Sequence, residues 1–233
     1  MTSKRSSAEK TMKILAIETA TEACSAALDI DDNCIHRFQV SPRRHTELIL
    51  PMIDDLLREA DIQTKDLDAI SFGQGPGAFT GVRIAVGVIQ GLAFAHDTPV
   101  IPISSLNALA QHYADEHSRV ATAIDARMQE IYWGLFKKND LGLMLQITEE
   151  KVCPPQDISN PSKGDWFGAG SGWNTYSEEL QTQFNQKLIG FNGDVFPSAK
   201  DIITLAKPAY LEGKAIPVEE AMPVYLRNKV VNK

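Results

Sequence analysis

From Ile84 to Ala95 the chain carries no charged residue, and a loop of four glycines and a proline stands just before it. The loop reads Gly73-Gln-Gly75-Pro76-Gly77-Ala-Phe79-Thr80-Gly81-Val-Arg83 and follows an apolar run at 69–72. The pattern is strand, sharp turn, helix, with Thr80 placed to cap the helix start. A helix lying on a sheet normally keeps a polar face for water, and one that is apolar all round is covered on every side. Either a second layer of the same chain covers this helix, or a partner does. The glycines admit backbone angles that side chains forbid. They suit phosphate contact at a helix N-terminus, or a tight turn packed closely on its sheet. The spacing fits neither Gly-x-x-x-x-Gly-Lys-Ser/Thr nor Gly-x-Gly-x-x-Gly.

Around this feature, apolar strands alternate with helices. Segments 13–18, 24–30 and 34–40 predict three strands, the last two joined by an Asp-Asp-Asn turn. An amphipathic helix follows at 46–60, with Ile49, Met52, Ile53, Leu56, Leu57 and Ala60 on one face and Pro51 interrupting it. Strands at 69–72 and 99–103 flank the glycine loop and the uncharged helix. This order describes a ribonuclease H-like lobe. The second half repeats it in outline: strands at 120–125, 130–137, 143–151 and 166–168, then helices at 176–184 and 199–207. A helix at 106–114 bridges the halves. The expectation is an α/β protein of two ribonuclease H-like lobes, with actin-like ATPase architecture. Its parts are a disordered extension at 1–11, an N-terminal lobe at 12–105 and a C-terminal lobe at 106–233.

Lys and Arg number 23 against 30 Asp and Glu, a net charge of −7, so the chain's own field does not draw in nucleic acid. Cys24, Cys34 and Cys153 lack Cys-x-x-Cys spacing and read as buried thiols of a reducing compartment. No apolar run reaches the ~20 residues of a membrane helix. The histidines form no His-x-x-x-His pair, and Gly-x-Ser-x-Gly is absent. Glu18 and Asp125 stand at equivalent strand ends, where this architecture places functional acids. Both are expected to be structural: Glu18 as a turn or capping residue, Asp125 as a partner of Arg127 in the turn that follows.

Five segments then carry a resemblance: Ile14-Leu-Ala-Ile-Glu18-Thr19-Ala20-Thr21, Gly75-Pro76-Gly77-Ala-Phe79-Thr80-Gly81-Val-Arg83, Pro102-Ile-Ser104-Ser105-Leu106, Ala123-Ile-Asp125-Ala126-Arg127-Met128 and Pro223-Val-Tyr225-Leu-Arg227. Together they resemble the TsaB (YeaZ) family, the bacterial tRNA threonylcarbamoyladenosine biosynthesis proteins. The resemblance runs from 13 to 227 and implies a degenerate relative of the catalytic subunit TsaD. The implied role is a non-catalytic, cytoplasmic scaffold that TsaD requires, with TsaE in a larger complex. That complex transfers threonylcarbamoyl to the adenine beside the anticodon of tRNAs reading codons that start with A. TsaD-like chains carry Asn-His-x-Glu-Gly-His where this one has Ser104-Ser105-Leu106-Asn107-Ala108-Leu109. Ser105 and Leu109 thus replace two metal-binding histidines. The resemblance implies no cofactor on this chain alone, with ATP and metal on partner subunits and tRNA met only indirectly. A free-standing ATPase or kinase, and a metallopeptidase, are the competing readings.

At helical spacing Arg83, Gly87, Gln90, Phe94 and Asp97 share one stripe of the uncharged helix, with Gly91 alongside. This stripe is expected to point away from the sheet. The 46–60 helix is expected to cover one flank and leave a two-helix surface for TsaD, or for a second copy when TsaD is absent.

Overall fold

The computed structural model describes residues 11–158, 161, 163–184 and 187–227; of the extension expected at 1–11, residues 1–10 lie outside them. The first sheet is built from β1 (Lys13–Glu18), β2 (Ala23–Ile30), β3 (Asn33–Val40), β4 (Ala69–Gly73) and β5 (Val100–Ile103), in the order β3-β2-β1-β4-β5. β1 to β3 are antiparallel, and β4 and β5 run parallel to β1. Asp31 and Asp32, both at positive φ, form the two-residue turn between β2 and β3.

Alternate residues of these strands enter two different cores. Leu15, Ile17, Leu28, Ile70 and Phe72 pack under α1 (His45–Glu59) and α2 (Phe79–Phe94). Ile14, Ala16, Ala27 and Ile101 pack under α6 (Ala199–Leu211). The sheet is therefore covered on both faces, which is why its central strands read as nearly continuous apolar runs. α6, although late in the chain and beyond the division expected at 105, packs on β1, β2, β4 and β5 of the first sheet.

The second sheet repeats the topology with β6 (Arg119–Arg127), β7 (Glu130–Lys138), β8 (Met144–Gln146), β9 (Lys151–Cys153), β10 (Trp166–Ala169) and β11 (Leu188–Asn192). Its order is β11-β10-β6-β7-β8, with β9 paired to β7, so both sheets show the ribonuclease H-like arrangement. The strand expected at 143–151 is divided, and its two parts pair with opposite ends of β7. On one face Trp133, Trp166, Trp173 and Phe184 cluster with α4 (Gly172–Thr175) and α5 (Ser177–Phe184). On the other lies α3 (Ser105–Gln111), through Leu106, Leu109 and Ala110. α3 also packs on α6, so these two helices join the lobes. No helix of the described residues is long and apolar enough to cross a membrane.

Candidate functional site

The glycine loop is filled by its own chain. A Cβ at Gly77 would lie 2.3 Å from the Ala20 carbonyl oxygen, and one at Gly81 would lie 2.1 Å from that of Thr19. At Gly73 it would strike the Glu18 carboxylate, 2.0 Å away. Gly75, at φ +96°, would meet Val82 and the Val224 carbonyl. Pro76 is buried behind it in a cis peptide bond. Ala78 N–H donates to Ala20 O at 2.7 Å, and the Thr19 hydroxyl donates to Gly81 O at 2.8 Å. The turn after β1 thus lies against the loop, and the close-packing reading is the one its geometry fits. Thr80 does not cap the helix. The N-cap is Ala78, without a side-chain hydrogen bond, and Thr80 is exposed in the first turn.

The other signature segments close on the same place. Ser105 N–H donates to Gly75 O at 2.9 Å, and its hydroxyl donates to Glu18 at 2.7 Å. Arg127 reaches Glu22 at 3.2 Å across the lobes. Val224 N–H donates to Gln74 O at 2.8 Å, and Arg227 donates to Arg127 O at 3.3 Å. Five segments scattered along the sequence form one hydrogen-bonded knot at the base of α2. It lies beside a cleft of about 710 Å³ between the lobes.

Above the knot, α2 turns Gly87, Gly91 and Phe94 outward. A Cβ at Gly87 or Gly91 would meet nothing within 4 Å, and Phe94 is 70% exposed. Arg83 and Gln90 are committed differently from the expectation of a free stripe. The Arg83 guanidinium lies 3.6 Å from the Phe79 ring centroid and donates to the Tyr225 hydroxyl at 2.8 Å. Gln90 donates to Ala221 O at 3.3 Å. One flank of α2 adjoins α1, as expected, and the other is covered by the segment at 218–225. Ile84 and Val88 of α2 are half-buried, and Leu50 of α1 is exposed. Part of the apolar helix is therefore covered by its own chain, and the outward stripe is open.

A family model described as TsaD, tRNA N6-adenosine threonylcarbamoyltransferase, matches residues 39–232. The chain is 40% identical over 228 residues to the tRNA threonylcarbamoyladenosine biosynthesis protein TsaB of Escherichia coli (strain K12), across 95% of this chain and 97% of that one. With the TsaB of Haemophilus influenzae it shares 40% identity over 232 residues, 95% and 96% of the two chains. The chain belongs to the TsaB family. The solved structure of YeaZ from Pseudomonas aeruginosa agrees with a TM-score of 0.87 at 45% identity, over 92% of this chain and 100% of that one.

In this TsaB-family chain the positions compared with metal-binding histidines are both buried. Ser105 is bonded to Glu18, and Leu109 packs in the core of the second sheet. Among the described residues no group of three or more His, Cys, Asp or Glu could hold a metal ion. Glu18 is fully buried and accepts from Ala20 N–H at 2.6 Å. Burial pushes its carboxyl above the ordinary value, and the hydrogen bonds from Ala20 and Ser105 offset this in part. Asp125 accepts from Arg127 N–H at 2.8 Å and from its guanidinium at 2.9 Å, the expected pairing. These bonds brace a turn in which Arg127, Met128 and Gln129 all have positive φ. Cys24 and Cys153 are buried, but Cys34 is only half-buried. Sequence reasoning missed the segment at 218–225 as a wall of α2. The signature Tyr225 and Arg227 were visible, but not their hydrogen-bond partners 97 to 142 positions away.

Proposed function

We propose that this TsaB-family chain serves tRNA threonylcarbamoyladenosine biosynthesis as a non-catalytic scaffold subunit required by TsaD. The docking surface is the outward stripe of α2 with the adjoining ridge of α1. One observation carries the reading. Gly87 and Gly91 leave open space beside an exposed Phe94. The loop glycines, by contrast, are occupied by the chain itself. Small residues let a partner helix approach closely, and a protruding aromatic is a common anchor of binding energy. When TsaD is absent, the same surface pairs with a second copy about a two-fold axis.

Under this reading the chain binds no cofactor alone, works in the cytoplasm with TsaD and TsaE, and touches tRNA only indirectly. Ser105 and Leu109 support it, because a neutral hydroxyl and an alkyl group do not replace two imidazoles. The test is reconstitution of threonylcarbamoyl transfer from purified components. TsaD and TsaE with this chain should transfer, while omission of either this chain or TsaD should abolish transfer. Transfer by this chain without TsaD would overturn the proposal.

A further inference from the structure

We infer that Arg227 is a positioning residue for docking: through residues 221–227 it ties the base of α2 to the second sheet and holds the docking face in its binding geometry. This rests on the docking reading above. The turn after β1 holds the first turn of α2 on one side, through Ala78 N–H and Gly81 O, and the 221–227 segment holds the helix on the other. The N-cap of α2 is Ala78, which offers no side-chain oxygen to the free N–H groups of the first turn. An uncapped first turn is where a helix frays most readily. Phe79 opens that turn and Arg83 stands one turn further on, and both are engaged by Tyr225. The Phe79 and Tyr225 ring centroids are 5.7 Å apart, and the Tyr225 hydroxyl accepts from Arg83.

The segment is fastened at both ends. Ala221 O accepts from Gln90 on α2, and Val224 N–H donates to Gln74 of the glycine loop. At its far end the Arg227 side chain, only 15% exposed, bonds Glu130 at 2.5 Å. It also bonds Arg127 O at 3.3 Å and lies 3.6 Å from Met128 Sδ. Its anchor is stiff, because the 127–129 turn is braced by Asp125 and, through Arg127, by Glu22 of the first lobe. Arg227 thus sits on the second sheet, away from the outward stripe, and reaches the docking helix through a short, bonded length of chain. A face already ordered does not lose that freedom when it binds, so loosening the segment weakens association without deleting a contact.

The experiment compares the full chain with Arg227→Ala by hydrogen exchange without TsaD and by calorimetric titration with TsaD, well below the unfolding midpoint. Arg227→Ala should speed exchange at 79–83 and at 221–227 and weaken TsaD binding by about tenfold. Arg227→Lys should recover part of both, since an ammonium can still pair with Glu130 but lacks the guanidinium fork. Tyr225→Phe, which deletes only the hydroxyl held by Arg83, should act in the same direction and serves if Arg227→Ala does not fold. Gly87→Arg is the control: it should block TsaD while exchange at 79–83 stays as in the parent chain. A folded Arg227→Ala chain with parental exchange at 79–83, or with parental affinity, overturns the inference. If the parent chain itself does not bind TsaD, the docking reading fails, and exchange at 79–83 still decides whether Arg227 holds α2.

Discussion

The hydroxyl of Ser105, first residue of α3, donates a 2.7 Å hydrogen bond to Oε2 of Glu18, last residue of β1. Both residues are fully buried, so the bond joins the helix between the lobes to the central strand of the first sheet. Removing a donor from a buried acceptor leaves its desolvation uncompensated. Ser105→Ala should therefore lower unfolding free energy by about 1–3 kcal/mol. Urea denaturation checks this, and a change of a few tenths would show that Glu18 does not depend on the bond.

The glycines give a pair of opposite expectations. Gly87→Ala should stabilise the lone chain by about 0.5–1 kcal/mol, because alanine favours the helix and its Cβ meets nothing within 4 Å. Gly77→Ala should destabilise by about 1–3 kcal/mol or more, because its Cβ would lie 2.3 Å from Ala20 O. Thermal unfolding of the two variants checks both signs.

Asp125→Ala should lower stability by about 1–3 kcal/mol, since Asp125 braces a turn of three left-handed residues through two bonds to Arg127. Transfer activity should persist whenever the variant assembles with TsaD. A folded, assembled complex with no transfer would give Asp125 a catalytic part.

Glu150 supplies a pH dependence. Burial pushes its carboxyl from 4.5 up to about 6, while the hydrogen bond from Ser104 works the other way. The folded state therefore holds this proton more tightly than the unfolded chain. The stabilisation is complete below about pH 4.5 and is lost as pH rises through about 6. At about 1.4 kcal/mol per pKa unit, the parent should lose about 2 kcal/mol more than Glu150→Gln between pH 4.5 and 7. Chemical denaturation of both proteins across that range checks the difference; equal slopes would contradict it.

Much of this architecture was legible in local pattern. The apolar runs at β1 and β4, the Asp31–Asp32 turn and the uncharged α2 follow from periodicity and turn chemistry, which neighbours in sequence decide. Relations between distant segments were not legible. β11 was missed because Gly190 and exposed Ile189 and Asn192 dilute its apolar signal. The placement of α6 on the first sheet depends on the return of the chain across α3, which no local period records. Within the candidate site, the outward turn of Gly87 and Phe94 followed from helical spacing. The pairing of Arg83 with Tyr225 did not, because 142 positions separate the two residues. Thr80 was an attractive cap by residue type, but the helix begins at Phe79, so the capping position falls on Ala78.

The most direct measurement is titration of purified TsaD with the parent chain and with Gly87→Arg, by calorimetry and light scattering, with circular dichroism of each chain alone. A Cβ at Gly87 meets nothing within 4 Å, so an arginine there should leave the lone chain folded. Its long charged side chain should occupy the gap a partner helix needs, and so abolish both TsaD binding and self-association. A folded Gly87→Arg chain that binds TsaD with parental affinity would contradict docking through α2, and one that fails to fold would place this face in the core.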